Sequence, residues 1–115
     1  MADIIFDELS SGAITCSFVD EAGAAVVPNW IKWTLTSADG LTIINEREQI
    51  DVPSPAEQID ILLSGADLQI LETEAALKYA QRLLTVEAEY DSDLGNNTPL
   101  KNEERFRVKN LRYIK

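Results

Sequence analysis

Val27-Pro28-Asn29-Trp30-Ile31-Lys32-Trp33-Thr34-Leu35-Thr36-Ser37-Ala38-Asp39-Gly40, continued by Leu41-Thr42-Ile43-Ile44-Asn45, reads as a strand, a turn and a second strand. Successive side chains of an extended chain point to opposite faces. Ile31, Trp33 and Leu35 therefore share one face, and Trp30, Lys32 and Thr34 share the other. The first set is apolar and the second mixed, as in a strand with one side buried. Asp39-Gly40 between two apolar runs is a strong hairpin signal, because glycine supplies the positive φ that a two-residue turn demands. The stretch predicts an antiparallel β protein and carries no catalytic signature.

The same period extends in both directions. Residues 4–6 form a short candidate strand, and residues 12–19 a second, with Ile14, Cys16 and Phe18 facing inward. Glu21-Ala22-Gly23-Ala24 turns the chain, and residues 42–47 return from the Asp39-Gly40 turn. Pro53-Ser54-Pro55 forbids helix and interrupts any central ladder, marking a crossing between strands or sheets. Ile59, Ile61 and Leu63 then alternate with Gln58, Asp60 and Leu62 up to Ser64-Gly65. Residues 67–81 mix helical spacing (Leu68, Leu71, Ala75, Ala76) with good helix formers, predicting a short helical turn or an irregular connection. Leu84, Val86, Ala88 and Tyr90 alternate with Thr85, Glu87 and Glu89. Residues 91–99 read as a long turn region, and residues 104–109 as a last strand with Phe106 and Val108 inward. About seven strands broken by glycine and proline turns specify an all-β protein, a single antiparallel β-sandwich domain over residues 1–115 with short N-terminal and basic C-terminal arms. Trp33 and Tyr90 stand where immunoglobulin-like sandwiches often keep aromatics, though the usual disulfide is absent.

The chain has 115 residues and a formal charge of -10. That length suits one domain with a real core. Residues 1–74 hold fourteen acids against Lys32 and Arg47, whereas residues 75–115 hold six acids against eight bases. An acid excess argues against nucleic acid as a partner, since phosphate binding relies on clustered Lys and Arg. The asymmetry suits a protein that docks one end on something acidic, including its own neighbour in an oligomer. It equally suits a solvated strand face with a frayed tail. No run approaches the roughly 18 apolar residues of a membrane span, and Met1-Ala2-Asp3-Ile4-Ile5-Phe6-Asp7-Glu8 lacks a signal-peptide pattern, so synthesis in a cytoplasm and no membrane partner are expected.

Candidate chemistry is sparse. The single cysteine, Cys16, reads as a buried thiol, and with no histidine in the chain its activation would fall to a carboxylate or lysine. Asp91-x-Asp93-x-Gly95 resembles a fragment of a calcium loop but lacks the third ligand and terminal glutamate, so a polar hairpin is preferred and no metal is expected. Glu87 and Glu89 fall on the solvent side of an alternating strand, with Arg105 or Arg107 as natural cross-strand partners rather than a substrate. Without histidine there is no Ser-His triad, nor is there a phosphate loop or zinc spacing. No catalytic residue and no cofactor are therefore expected, and the chain is read as a non-enzyme. Trp30, opposite the core face, is either an exposed interface anchor or covered by the 46–53 segment or a terminus. The interface candidates are Trp30, Lys32, Arg105, Arg107, Arg112 and Tyr113.

Three segments, VPNWIKWTLTSADG with IIN, SPAEQIDILLSGADL and RLLTVEAEYDSDLGNNTPLKNEERFRVKNL, together resemble a group of small proteins of tailed bacteriophages and prophages with an immunoglobulin-like sandwich. The resemblance spans residues 14–111, with residues 68–81 departing from it as a local elaboration. It implies a virion-associated structural role, foremost a capsid decoration (cement) protein that binds the major coat protein. It also admits a head, neck or tail component contacting other virion proteins, or a displayed carbohydrate- or host-binding module. A homo-oligomer, dimer or trimer, made in the host cytoplasm and localised to the virion, is the expected form.

Overall fold

The computed structural model describes residues 4–92 and 94–111. Seven strands follow in order: β1 (Ile5–Asp7), β2 (Ser11–Ser17), β3 (Trp30–Ser37), β4 (Ile50–Asp51), β5 (Gln58–Ser64), β6 (Tyr79–Ser92) and β7 (Gly95–Lys109). One sheet has the order β1-β7-β6-β3-β4, and a second pairs β2 with β5. The two faces enclose one core, with Ile14, Cys16, Phe18, Ile61 and Leu63 of the small sheet against Ile31, Trp33, Leu35, Leu84, Val86, Ala88, Phe106 and Val108 of the large one. This connectivity is that of an immunoglobulin-like sandwich, with the buried Trp33 on the strand where that fold keeps its core tryptophan. Leu35, Leu63, Leu84 and Val108 have no exposure, and each such side chain contributes about 1.5–3 kcal/mol of transfer free energy.

The apolar period of β2, β3, β5, β6 and the end of β7 is realised as read, while four local expectations are corrected. The sheet is not wholly antiparallel, for β1 runs parallel to β7, Ile5 opposite Arg107. The return from the Asp39-Gly40 turn is a single bridge, Thr36 to Ile43, rather than a strand over residues 42–47. Its diversion has a backbone cause: Asn45 (φ 52°) and Glu46 (φ 58°) take left-handed conformations that no strand continues. β3 instead takes β6 as its long partner, Trp30 opposite Glu89 through Ser37 opposite Arg82. Residues 91–99 are not a long turn, because β6 runs to Ser92 and β7 starts at Gly95. Pro99 is tolerated there because β1 covers only Arg107–Lys109, leaving the Pro99 stretch of β7 at the sheet edge.

Residues 65–78 connect the two sheets through two 3-10 turns, Gly65–Leu68 and Glu72–Glu74. Each is held by one ion pair with a buried member, Asp67 in the first and Arg82 in the second. Asp67 accepts from Arg47 Nε (2.7 Å), Asn45 Nδ2 (2.9 Å) and the Ser64 N–H (3.1 Å). Glu74 accepts from Arg82 Nη2 (2.6 Å) and Nη1 (2.7 Å) and from the Leu71 N–H (2.9 Å). The arginine is fully buried, on the core face of β6 in step with Leu84, Val86 and Ala88. At the chain start, Phe6 packs on Phe106 (centroids 5.4 Å apart) and over Gly12, where an added Cβ would lie 2.3 Å from the Phe6 ring.

Candidate interaction surface

The outer face of the five-stranded sheet gathers the candidates. Going along β3 it carries Trp30, Lys32, Thr34 and Thr36. The facing positions of β6 are Glu89, Glu87, Thr85 and Leu83, and those of β7 are Pro99, Lys101, Glu103 and Arg105. Arg107 and Lys109 continue the β7 row, opposite Gln81 and Tyr79 of β6. Trp30, Lys32, Arg105 and Arg107 thus share one face although 77 positions separate the outermost pair in sequence. At strand rises of about 3.3 Å and spacings of about 4.8 Å, the β7 row from Pro99 to Lys109 runs roughly 33 Å and the β3, β6 and β7 rows together span roughly 10 Å, with β4 beside only Lys32–Trp33 and β1 beside only Arg107–Lys109.

Trp30 is not freely exposed. It is half-buried, its indole N–H donates to Glu89 Oε1 (3.1 Å), and Lys32 Nζ lies 5.5 Å from its ring centroid. A carboxylate holds the indole N–H and an ammonium lies over the ring, making Trp30 a preorganised amphipathic anchor at the edge of the face. The expected pairing of Glu87 and Glu89 with Arg105 or Arg107 is corrected by the register. Glu87 stands between Lys32 and Lys101, and Glu89 between Trp30 and Pro99. Arg105 Nη1 donates to the Ala38 carbonyl (3.4 Å), and the Arg107 guanidinium lies 4.7 Å from the Tyr79 ring centroid. Arg112 and Tyr113, with the rest of the expected basic arm, lie outside the described residues.

The remaining candidate groups are structurally engaged. Asp91 Oδ1 accepts from Asn29 Nδ2 (3.1 Å) and the Asn97 N–H (2.8 Å), and these bonds hold its carboxyl below the usual range. Asp93, the second residue of the calcium-loop fragment, lies outside the described residues. Cys16 is buried. Burial pushes its thiol up, with the Glu104 and Asp60 charges adding to the shift. Tyr90 is likewise pushed up, first by burial and then by Glu21, whose Oε1 accepts from Tyr90 OH (3.4 Å) and Ser92 Oγ (2.8 Å). Two functionally placed features escaped the sequence reading, the Tyr79 ring flanked by Arg107 and Lys78, and the buried Arg82. The second had a visible signal, since Arg82 falls in step with the apolar alternation from Leu84 to Tyr90.

No family model, curated protein or solved structure matches this chain.

Proposed function

We propose that this protein is a non-enzymatic structural component of a tailed-phage particle, a decoration or cement protein that binds the assembled coat-protein lattice through the outer face of its five-stranded sheet. The observation that supports this reading is the convergence of Trp30, Lys32, Arg105 and Arg107 on that one face. The resemblance to small tailed-phage proteins favours a particle as the setting. A protein that binds only the assembled lattice stabilises it by mass action, the gain rising logarithmically with its free concentration above its Kd. Repetition over a lattice then lets a modest single contact hold many subunits at once.

Quantitative mass spectrometry of purified particles tests the reading. A copy number equal to the coat protein's, or a simple fraction of it, is expected, together with a lower rupture temperature for particles lacking this protein. A handful of copies would move it to the neck or tail, and absence from particles would overturn the virion role.

A further inference from the structure

Most sheet margins of this protein are closed to a further strand. The Arg107 N–H donates to the Ile4 carbonyl (3.0 Å) and so points away from β6; Pro99, Lys101, Glu103 and Arg105, an even number of positions earlier, turn their backbone groups the same way. From Pro99 to Arg105 the edge of β7 that β1 leaves bare is therefore made of proline and charged residues. β1 and β4 are three and two residues long and carry Asp7 and Asp51. Beyond β4 the returning chain covers β3, with the Leu35 N–H bonded to the Arg47 carbonyl (2.8 Å) and the Ser37 N–H to the Thr42 carbonyl (2.9 Å). On β5 the outer edge includes Asp60, and the Ser64 N–H is taken by Asp67 Oδ2 (3.1 Å). Short length, proline and charge are the usual defences of an edge strand against pairing with another chain.

β2 has none of these defences. It is seven residues long, and residues 9–19 contain neither a charged side chain nor a proline, in a chain whose formal charge is -10. Pairing with β5 uses only half of its backbone. The Phe18 N–H donates to the Glu57 carbonyl (2.9 Å) and the Gly65 N–H to the Ser10 carbonyl (2.9 Å), so the even positions of β2 turn toward β5, and Ser11, Ala13, Thr15 and Ser17 turn away. Among the described residues no strand lies on that side, since β2 and β5 form a sheet of two. Thr15 Oγ1 donates to Asp60 Oδ1 (2.6 Å) and Ser17 Oγ to Gln58 Oε1 (3.3 Å), bonds that draw both side chains toward β5 and off the open side.

We propose that β2 is a self-pairing edge, joined antiparallel to β2 of a second copy about a two-fold axis beside Ile14. That axis sets Ser11 opposite Ser17, and Ala13 opposite Thr15, of the other copy. All four outward residues then exchange N–H and carbonyl groups, about eight hydrogen bonds in all. A row across the joined sheets reads Asp60 and Thr15 of one copy, then Ala13 and Leu62 of the other, so each carboxylate stands one strand back from the axis. Charge is what selects a second copy as the occupant. Two chains of charge -10 repel, and along β2 they meet with no carboxylate on either side of the seam. The contact is isologous and closes at a dimer, because the margins left at the ends of the four-stranded sheet are the defended edges of β5. It leaves the outer face of the five-stranded sheet uncovered and does not rest on the capsid reading.

Sedimentation velocity on the full chain over a concentration series, with amide hydrogen exchange read at both ends of the series, tests it. A monomer–dimer equilibrium is expected that strengthens as salt rises, since the joining bonds are backbone bonds and the charges that salt screens are repulsive. The Ala13, Thr15 and Ser17 amides are expected to exchange on the order of tenfold or more slowly in the dimer than in the monomer. Ala13→Lys/Thr15→Lys sets like charges opposite each other across the axis and is expected to weaken association by about tenfold or more. Ala13→Lys/Thr15→Glu sets opposite charges at the same two positions and is expected to keep the dimer, and thermal unfolding verifies the fold of both variants. A monomer at every concentration, a dimer whose Ala13 and Thr15 amides exchange as fast as in the monomer, or a dimer indifferent to the paired lysine substitution would each overturn the proposal. Protection of those amides only on adding purified phage particles would also overturn it, and would give the edge to a strand of another protein.

Discussion

Replacing Glu74 by Ala should be among the most damaging single changes in the protein, and the reason is the burial of its partner rather than its own exposure. The Arg82 side chain has no solvent exposure, against 15% for Glu74. Its guanidinium bonds both carboxylate oxygens and the Gln69 (3.0 Å) and Gln81 (2.8 Å) carbonyls, while Nε has no partner among the described residues. Without Glu74 a full charge stays buried against two neutral carbonyls, a situation that costs about 3–5 kcal/mol. Arg82→Met leaves a carboxylate that keeps the Leu71 N–H and reaches water, so its cost is about 1–2 kcal/mol, near that of an ordinary lost polar partner. The double variant Glu74→Leu/Arg82→Met removes the charge from both sides and should recover most of the loss, since apolar replacements of buried pairs are often neutral or stabilising. Urea unfolding at pH 7 measures all three. With a slope of about 1.5 kcal/mol/M, Glu74→Ala shifts the midpoint down by about 2–3 M. A Glu74→Ala cost below about 1 kcal/mol, or a double variant no more stable than Glu74→Ala, would refute the argument.

Acid should act through the same two clamps. For Asp67, burial raises the carboxyl pKa, but bonds from Arg47, Asn45 and the Ser64 N–H outweigh it; for Glu74, burial is likewise outweighed by Arg82 and the Leu71 N–H, so both folded values are lowered. Their contribution is complete above the unfolded carboxylate pKa of about 4 and disappears as pH falls through the lowered folded values. The urea midpoint of Glu74→Gln should therefore lie below that of the native protein at pH 7 and converge with it in acid; parallel profiles would count against the assignment. Gly12→Val should cost about 1–3 kcal/mol by driving Cβ into the Phe6 ring. Hydrogen exchange should then accelerate at the Arg107 amide, which donates to the Ile4 carbonyl (3.0 Å), and an unchanged rate would mean that β1 does not depend on that contact. Cys16 should resist aromatic disulfide reagents at pH 8 until urea unfolds the chain, and immediate labelling of the native protein would contradict its burial.

Alternation by itself determined β2, β3, β5, β6 and the end of β7, and the faces they bury. Ile14, Cys16 and Phe18, Ile31, Trp33 and Leu35, and Leu84, Val86 and Ala88 all face the core as a period of two requires, because a half-buried strand leaves its environment written in every second residue. The turn at Gly40 (φ 77°) was equally legible, for a positive φ selects glycine. Partnership was not legible. Nothing in residues 30–37 says that β6, some fifty positions later, outcompetes the adjacent return segment, since strand pairing is decided by which apolar faces close the core together. The parallel docking of β1 on β7 is likewise a long-range choice. The polar clamps Asp67–Arg47 and Glu74–Arg82 form across connections of 20 and 8 positions, and charged residues read one at a time look solvent-bound until packing removes the water. The candidate surface follows the same division. Sequence placed Trp30 and Lys32 off the core face and marked Arg105 and Arg107 as basic, and only the register of β3, β6 and β7 put all four on one side of one sheet.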